Sequence, residues 1–259
     1  MSKGARNRQE AREKVAQMRA QQRRAERRRT LIILGAIVVV AGVVIGVVIA
    51  VLPSGGSSGK EVIPPAVSGG APVVQPAALV VPNTSGIGGV VAYDTTGWPS
   101  SSHNGPAARA LGHTHVPGPV TYSVVPPVGG DHNAIWMNCG IYDKPVPNEH
   151  AVHNLEHGAI WITYQPSLPQ SEVNALRAFV EKQTTISPGG AAASRYMDLT
   201  PFPGLPSSIV VSSWGYQLKV NSPDDPRLQQ FVNKFRASST YTPEYGGACT
   251  GGVGTPLQT

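Results

Sequence analysis

The fold of this 259-residue chain is decided by one stretch, Asn148-Glu-His-Ala-Val-His-Asn-Leu-Glu-His-Gly-Ala-Ile-Trp-Ile-Thr-Tyr164. Its first ten residues predict a short helix, capped at its start by Asn148 and closed by Gly158. The residues from Ala159 to Tyr164 are mostly β-branched or aromatic, and they predict a strand that ends before Pro166. We therefore expect a helix that leads directly into a strand of a sheet.

Four further segments complete the predicted domain, which spans residues 90–249. Runs of β-branched residues predict strands, and apolar residues at three- and four-residue spacing predict amphipathic helices. The segments are a strand at Val120–Val125, a helix at Ser171–Gln183, one long or two short strands at Ser208–Val220 broken at Gly215, and a helix at Asp225–Arg236. This combination predicts one compact α+β domain.

An apolar run precedes the domain and predicts a single transmembrane helix at residues 30–52. Residues 31–52 contain no charged side chain, and about 20 such residues cross a bilayer as a helix. The tail before it, residues 1–29, carries eleven Lys and Arg against three Glu, whereas the rest of the chain carries ten against twelve Asp and Glu. Positive charge stays inside, so we expect a plasma-membrane protein with a cytoplasmic N-terminus and an external C-terminal domain. Cleavage of the apolar run as a signal peptide is the alternative.

The tail and the helix also predict partners. The basic side chains abut the bilayer, where they attract anionic lipid, and the tail has no aromatic residue for stacking, so we expect no nucleic-acid partner. Gly42, Gly46 and Ala50 recur at four-residue spacing, which favours self-association of the helix. Residues 53–89, rich in Gly, Pro, Ser and Val, predict a flexible linker, and residues 250–259 predict a flexible tail.

The chain has two cysteines, Cys139 and Cys249, both after the apolar run. An oxidising environment outside the cell permits a disulfide between them. Closing about 110 residues would stabilise the fold by roughly 4 to 5 kcal/mol in the chain-entropy model. The rival interpretation makes Cys139 a thiolate ligand of a metal ion.

Six of the seven histidines fall within 45 consecutive residues, and this clustering carries the functional prediction. On the predicted helix His153 and His157 lie one turn apart, so both imidazoles can bind one metal ion. Glu149, four residues before His153, is placed to fix the tautomer of that ring. Imidazole suits zinc or copper, and sulfur from Met137 or Cys139 would favour copper. The other candidate ligands are His132, His113, His115 and His150.

Two other functions compete with metal binding. In the first, the histidines form a buried hydrogen-bonded network within a scaffold or assembly partner of the cell envelope. In the second, His153-Asn-Leu-Glu156-His157 is an inverted zincin pattern, and Glu156 is the general base of a metal-dependent hydrolase. The predicted helix is short and no clear acidic ligand follows on a second helix. A metal-binding protein that is not an enzyme is therefore the favoured interpretation.

Several segments of the histidine window resemble one bacterial family. They read Pro126-Pro-Val-Gly-Gly-Asp-His132, Gly140-Ile-Tyr-Asp-Lys-Pro-Val-Pro-Asn-Glu149 and Val152-His-Asn-Leu-Glu-His-Gly158, with Pro201-Phe-Pro-Gly-Leu205 and Ser213-Trp-Gly215 further on. Together they resemble the domain of unknown function 3105 family over roughly residues 113–236. The family's Pro-Pro-x-Ser-Gly-Pro-His pattern keeps its histidine here but is changed at Gly129 and Asp131. The resemblance implies a membrane-anchored protein of mainly actinobacterial distribution, and it implies no reaction.

Overall fold

The computed structural model of the protein describes Val67, residues 69–95 and residues 111–257. The predicted cytoplasmic tail, the transmembrane helix at 30–52 and its small residues Gly42, Gly46 and Ala50 lie outside these residues. Within them, no helix is long and apolar enough to span a membrane. The described residues all belong to one compact unit.

Helices and strands share this unit, which confirms the predicted α+β class. The helices are α1 (Asn148–Glu156), α2 (Gln170–Glu181) and α3 (Pro226–Phe235). The strands are β1 (Val73–Val74), β2 (Val80–Val81), β3 (Val90–Tyr93), β4 (Val120–Thr121), β5 (Ile160–Tyr164), β6 (Met197–Pro201), β7 (Ile209–Ser213) and β8 (Tyr216–Val220). One turn of 3-10 helix lies at Pro188–Gly190.

Six of the strands form one sheet in the order β2-β3-β8-β7-β5-β6, and β1 pairs with β4 in a separate parallel pair. In the large sheet β5 and β6 are parallel, and the other neighbours are antiparallel. All five residues of β5 are buried. A continuous run of β-branched and aromatic residues fits such a strand, because both of its faces are covered.

The two faces of the sheet are covered by different helices. Ile160 and Ile162 of β5 belong to the apolar cluster that contains Leu176 of α2 and Phe231 of α3. Trp161, which points to the opposite face, belongs to the cluster that contains Leu155 of α1. The sheet therefore lies between α2 and α3 on one side and α1 on the other. This packing fixes α1, the helix with the histidines, against a rigid support.

Local sequence signals account for several of these elements. Asp225 caps α3, because its carboxylate accepts a hydrogen bond from the amide of Arg227, and Pro226 occupies the first turn. Gly215 has a φ of 75° and allows the tight turn between β7 and β8, so the predicted break at this residue is confirmed. Asn148, in contrast, is not the cap of α1: Pro147 holds that position and makes no side-chain cap.

The structure shifts the predicted edges of the domain. Residues within the predicted linker pair with the domain, since β1 pairs with β4 and β2 pairs with β3. At the other end, Val253 bridges to Met137 and the amide of Leu257 donates to the carbonyl of Ile141. The folded part therefore begins before residue 90 and continues beyond residue 249, because these valine-rich and glycine-rich segments find backbone partners that composition does not reveal.

Candidate metal centre

The histidines of α1 are placed by the way this helix ends. His157 follows the last helical residue, and Gly158 then turns the chain into β5 with a φ of 96°. A Cβ at Gly158 would lie 2.6 Å from Oγ1 of Thr242 and 2.9 Å from Cα of Ala237. Glycine is therefore required here both by backbone conformation and by close packing. The turn leaves His153 and His157 next to each other at the end of the helix that faces the C-terminal segment.

A pair of loops brings two more histidines to the same place. His115 and His132 form an isolated parallel bridge, in which the amide of His132 donates to the carbonyl of Thr114 and the amide of Val116 donates to the carbonyl of His132. The ring centroids of His115 and His132 are 4.9 Å apart, and each lies about as far from the ring of His153, at 5.0 and 4.9 Å. Three rings that are distant in sequence are thus in contact.

Backbone carbonyls fix the tautomers of three of these rings. The Nδ1 atoms of His132, His153 and His157 lie 2.7, 2.7 and 2.6 Å from the carbonyl oxygens of Gly130, Asn133 and Ala248, respectively. A carbonyl oxygen can only accept, so each Nδ1 carries the proton that it donates. In the neutral ring the Nε2 lone pair is then unprotonated. This is the arrangement of metal-binding histidines, whose other nitrogen is held by an outer partner.

The Nε2 atoms face each other and a buried carboxylate. A proton on Nε2 of His132 completes its hydrogen bond to Glu156, and a bound metal ion would take the place of that proton. Nε2 of His153 lies 2.9 Å from Nε2 of His157, and Nε2 of His132 lies 2.8 Å from Oε2 of Glu156. Nε2 of His115 is 3.7 Å from the same oxygen. Two lone pairs at 2.9 Å repel unless a proton or a cation lies between them. Two nitrogens bound to one metal ion at about 2.0 to 2.1 Å, with an angle near about 90°, have this separation.

The potential ligand atoms form two overlapping groups. The first, which we call the inner group, contains His115, His132, His153 and Glu156. The second, the outer group, contains His153, His157 and Glu244. Within each group the ligand atoms lie within 4.8 Å of one another. His153 is the residue that the two groups share.

The charges of the inner group suit a cation. The pKa of His153 is lowered to about 4, chiefly by burial; the hydrogen bond with the Asn133 carbonyl opposes this shift, and the neighbouring imidazoles add to it. His153 is therefore neutral at pH 7 and can bind a metal. Burial alone would raise the pKa of Glu156, but its hydrogen bond with His132 and the surrounding imidazoles hold it below its ordinary value. Glu156 is an anion with 1% of its side chain exposed, and a bound cation would neutralise it.

Two of the predicted ligands, His113 and His150, lie outside the two groups. Glu149, which was predicted to orient His153, forms a different hydrogen bond. Nδ1 of His150 is hydrogen-bonded to the carbonyl of Ile135. Glu149 is not the residue that orients the ring of His153. Its Oε1 accepts from the amide of Val120 at 2.7 Å, and the Asn133 carbonyl fixes the tautomer of His153 instead.

Sulfur takes no part in either group. Cys139 and Cys249 form a disulfide, so the disulfide prediction is confirmed and the alternative of a thiolate ligand is wrong. Met137 is buried in the apolar cluster on the α1 side of the sheet. The donor sets found among the described residues consist of imidazole nitrogen and carboxylate oxygen only.

Sequence reasoning missed two residues of the site. Glu244 lies in the C-terminal segment, where its amide donates to the carbonyl of Glu156 at 3.0 Å and its Oε2 lies 3.4 Å from Nε2 of His157. The indole of Trp136 lies with its ring centroid 5.8 Å from that of His153 and 5.5 Å from that of His157. No spacing pattern in the sequence predicts either contact, because both depend on how distant loops pack on α1.

The geometry also bears on the hydrolase interpretation. In an inverted zincin the glutamate between the two histidines is a base acting on metal-bound water. Here Oε2 of Glu156 is 2.8 Å from Nε2 of His132, and the side chain is buried within the inner group. This position makes Glu156 a candidate ligand rather than a base facing solvent.

Comparison with known protein families gives two matches. The family described as "Protein of unknown function (DUF3105)" matches residues 113–251, which include the inner and outer groups and the disulfide. A family described as "Inhibitor of host cell division protein domain" matches residues 9–53, a short segment outside the described residues. No curated protein and no solved structure matches the chain. Because the first match covers more than half of the 259 residues, the chain belongs to the DUF3105 family of proteins of unknown function.

Proposed function

We propose that this protein binds one transition-metal ion, zinc or copper, through the inner group of His115, His132, His153 and Glu156. The observation that carries the proposal is the convergence of Nε2 atoms whose Nδ1 atoms are held by backbone carbonyls. In a purely structural network the Nε2 atoms of His153 and His157, 2.9 Å apart, need a proton between them, because two lone pairs at this distance repel. A cation removes this repulsion.

The types of ligand atom indicate which oxidation state a bound copper ion would have. Thiolate and thioether ligands favour Cu(I), and the groups found among the described residues contain neither. Imidazole with one carboxylate suits Zn(II) and Cu(II), both of which bind nitrogen and oxygen. We therefore expect a divalent ion.

The proposal also includes the location of the site. The charge-free run at residues 31–52 and the basic tail before it support a plasma-membrane anchor with the tail in the cytoplasm. The disulfide between Cys139 and Cys249 suits an oxidising compartment outside the membrane. In this arrangement the protein holds a metal ion at the outer surface of the cell and needs no catalytic residue to do so.

The test is the metal content of the full-length protein, purified in detergent without chelator and measured by elemental mass spectrometry. We expect about one equivalent in the wild type and a loss of the metal in His153→Ala, which removes a ligand of both groups. His150→Ala is the matched control, because it changes a histidine of the same helix that belongs to neither group. A wild-type protein that carries no metal and takes up neither Zn²⁺ nor Cu²⁺ would leave the scaffold with structural histidines as the better explanation.

A further inference from the structure

The inner and outer groups cannot be occupied at once. They share Nε2 of His153, and the neutral ring has a single lone pair there because Nδ1 donates to Asn133. One lone pair binds one metal ion. The two groups are therefore alternative positions of the same ion. When the ion moves between them, it stays bound to His153 and exchanges its other ligands.

The two positions differ in number of ligands and in exposure. The inner group has four candidate ligands and a carboxylate, Glu156, that is 1% exposed. The outer group has three, and the side chain of its carboxylate, Glu244, is 47% exposed. An exposed carboxylate attracts cations from solution, whereas the buried group with more ligands holds them more tightly. An ion at equilibrium therefore occupies the inner group.

Backbone contacts hold Glu244 at the outer position. The segment of residues 237–249, the C-terminal strap, is attached to the end of α1 by hydrogen bonds from the amide of Ala237 to the carbonyl of Gly158 and from the amide of Glu244 to the carbonyl of Glu156. The carbonyl of Ala248 orients His157. The backbone of Gly247 packs against the ring of His157 so closely that no Cβ fits there. The strap thus positions an exposed carboxylate directly over a buried histidine.

The geometry points to the outer group as a loading position, in which Glu244 and His157 capture a divalent ion and pass it to the inner group through His153. The short path supports this: Oε2 of Glu244 lies 3.4 Å from Nε2 of His157, which lies 2.9 Å from Nε2 of His153. Each step replaces one ligand while another stays bound. This inference rests on the proposed function and adds the route by which the ion enters.

A loading position affects rates and leaves the equilibrium unchanged. We would measure Cu²⁺ binding to the full-length protein by stopped-flow quenching of tryptophan fluorescence, since Trp136 contacts both His153 and His157. Release would be measured by a chase with a strong chelator. In Glu244→Gln we expect both loading and release to slow by about tenfold, because the ion enters and leaves through the position that this charge stabilises, with the Kd and the stoichiometry unchanged. Glu181→Gln is the matched control, an exposed carboxylate at the end of α2 that belongs to neither group.

The other outcomes overturn the inference in distinct ways. Unchanged rates in Glu244→Gln mean that the ion enters elsewhere, for example past His115, whose side chain is 44% exposed. Faster release with unchanged loading, and a weaker Kd, mean that Glu244 is a ligand of the final complex. Both results leave the proposed function intact. A wild-type protein that binds no Cu²⁺ or Zn²⁺ contradicts the proposed function itself.

Discussion

At the scale of single residues, Asp198 is the carboxyl group, among those in the described part of the chain, whose ionisation the fold opposes most. It is fully buried on β6, next to the disulfide, and burial raises its pKa to about 7. Hydrogen bonds from Asn154 and from the amide of Gly140 lower the pKa but do not restore its ordinary value. Asn154 in turn accepts from the amide of Met137. Asp198 therefore connects β6 to α1 and to the loop at Met137.

The raised pKa predicts a loss of stability with increasing pH. An acid whose pKa is higher in the folded state stabilises the fold below its unfolded pKa of 3.8, and this contribution is lost as pH rises to about 7. The full difference corresponds to about 4 kcal/mol. We expect the free energy of unfolding of Asp198→Asn to increase relative to that of the wild type between pH 4 and pH 8, because only the wild type loses stability as this carboxyl group ionises. Urea unfolding at the two pH values, with chelator present, measures this, and a difference that does not change with pH would contradict it.

At the scale of elements, the turn from α1 into β5 is the feature that supports the site. Gly158→Ala should destabilise the protein, because the residue has a φ of 96° and the new Cβ would overlap Thr242 and Ala237. Gly204→Ala is the control: its φ is 76°, but nothing lies within 4 Å of the added Cβ. We expect a cost of about 1 kcal/mol at Gly204 from backbone conformation alone, and about 3 kcal/mol or more at Gly158 with overpacking added. Equal costs in urea unfolding would show that close packing at Gly158 is unimportant.

Elements with strong local signals were predictable from the sequence. The apolar periodicity of α2, the proline and cap of α3, and the aromatic run of β5 each specify their own structure. The predicted strand at Val120–Val125 is only Val120–Thr121, and the next residue, Tyr122, donates from its hydroxyl to the carbonyl of Asp131. β6 was missed, since Met-Asp-Leu-Thr-Pro combines a buried acid with a proline and has no strand pattern.

The candidate site likewise contains some residues that the sequence could predict and others that it could not. His153, Glu156 and His157 lie in one short segment, so helical spacing alone brings them together. His115 meets them only through its bridge to His132, and Glu244 meets them only through the strap. These contacts are set by tertiary pairing of backbone groups, which has no period in the sequence. Conversely, His150 has the spacing of a ligand but is held by the Ile135 carbonyl.

At the scale of the whole molecule, the disulfide joins regions that lie 110 residues apart in the chain. It fixes the strap, which contributes Glu244 and the carbonyl that orients His157. The amide of Cys139 also donates to the carbonyl of Cys249, so the attachment is both covalent and hydrogen-bonded.

Removal of the disulfide should therefore lower global stability. We expect Cys139→Ser/Cys249→Ser to lower the free energy of unfolding by about 4 kcal/mol, because the unfolded chain gains conformational entropy when the loop between the two cysteines is no longer closed. Thermal unfolding with and without reductant measures this, and the reduced wild type should match the double variant. A melting temperature that does not respond to the reductant would show that native packing already holds the strap.

The strap follows the rest of the centre along the chain, and this order determines when each part of the centre is synthesised. Glu244 and Ala248 follow His157 and every residue of the inner group in the chain, so the ribosome makes these two residues last. The outer group is therefore the last part of the centre to be completed. A nascent chain that has grown past His157 but not yet to Glu244 therefore has every residue of the inner group and lacks the carboxylate of the outer group.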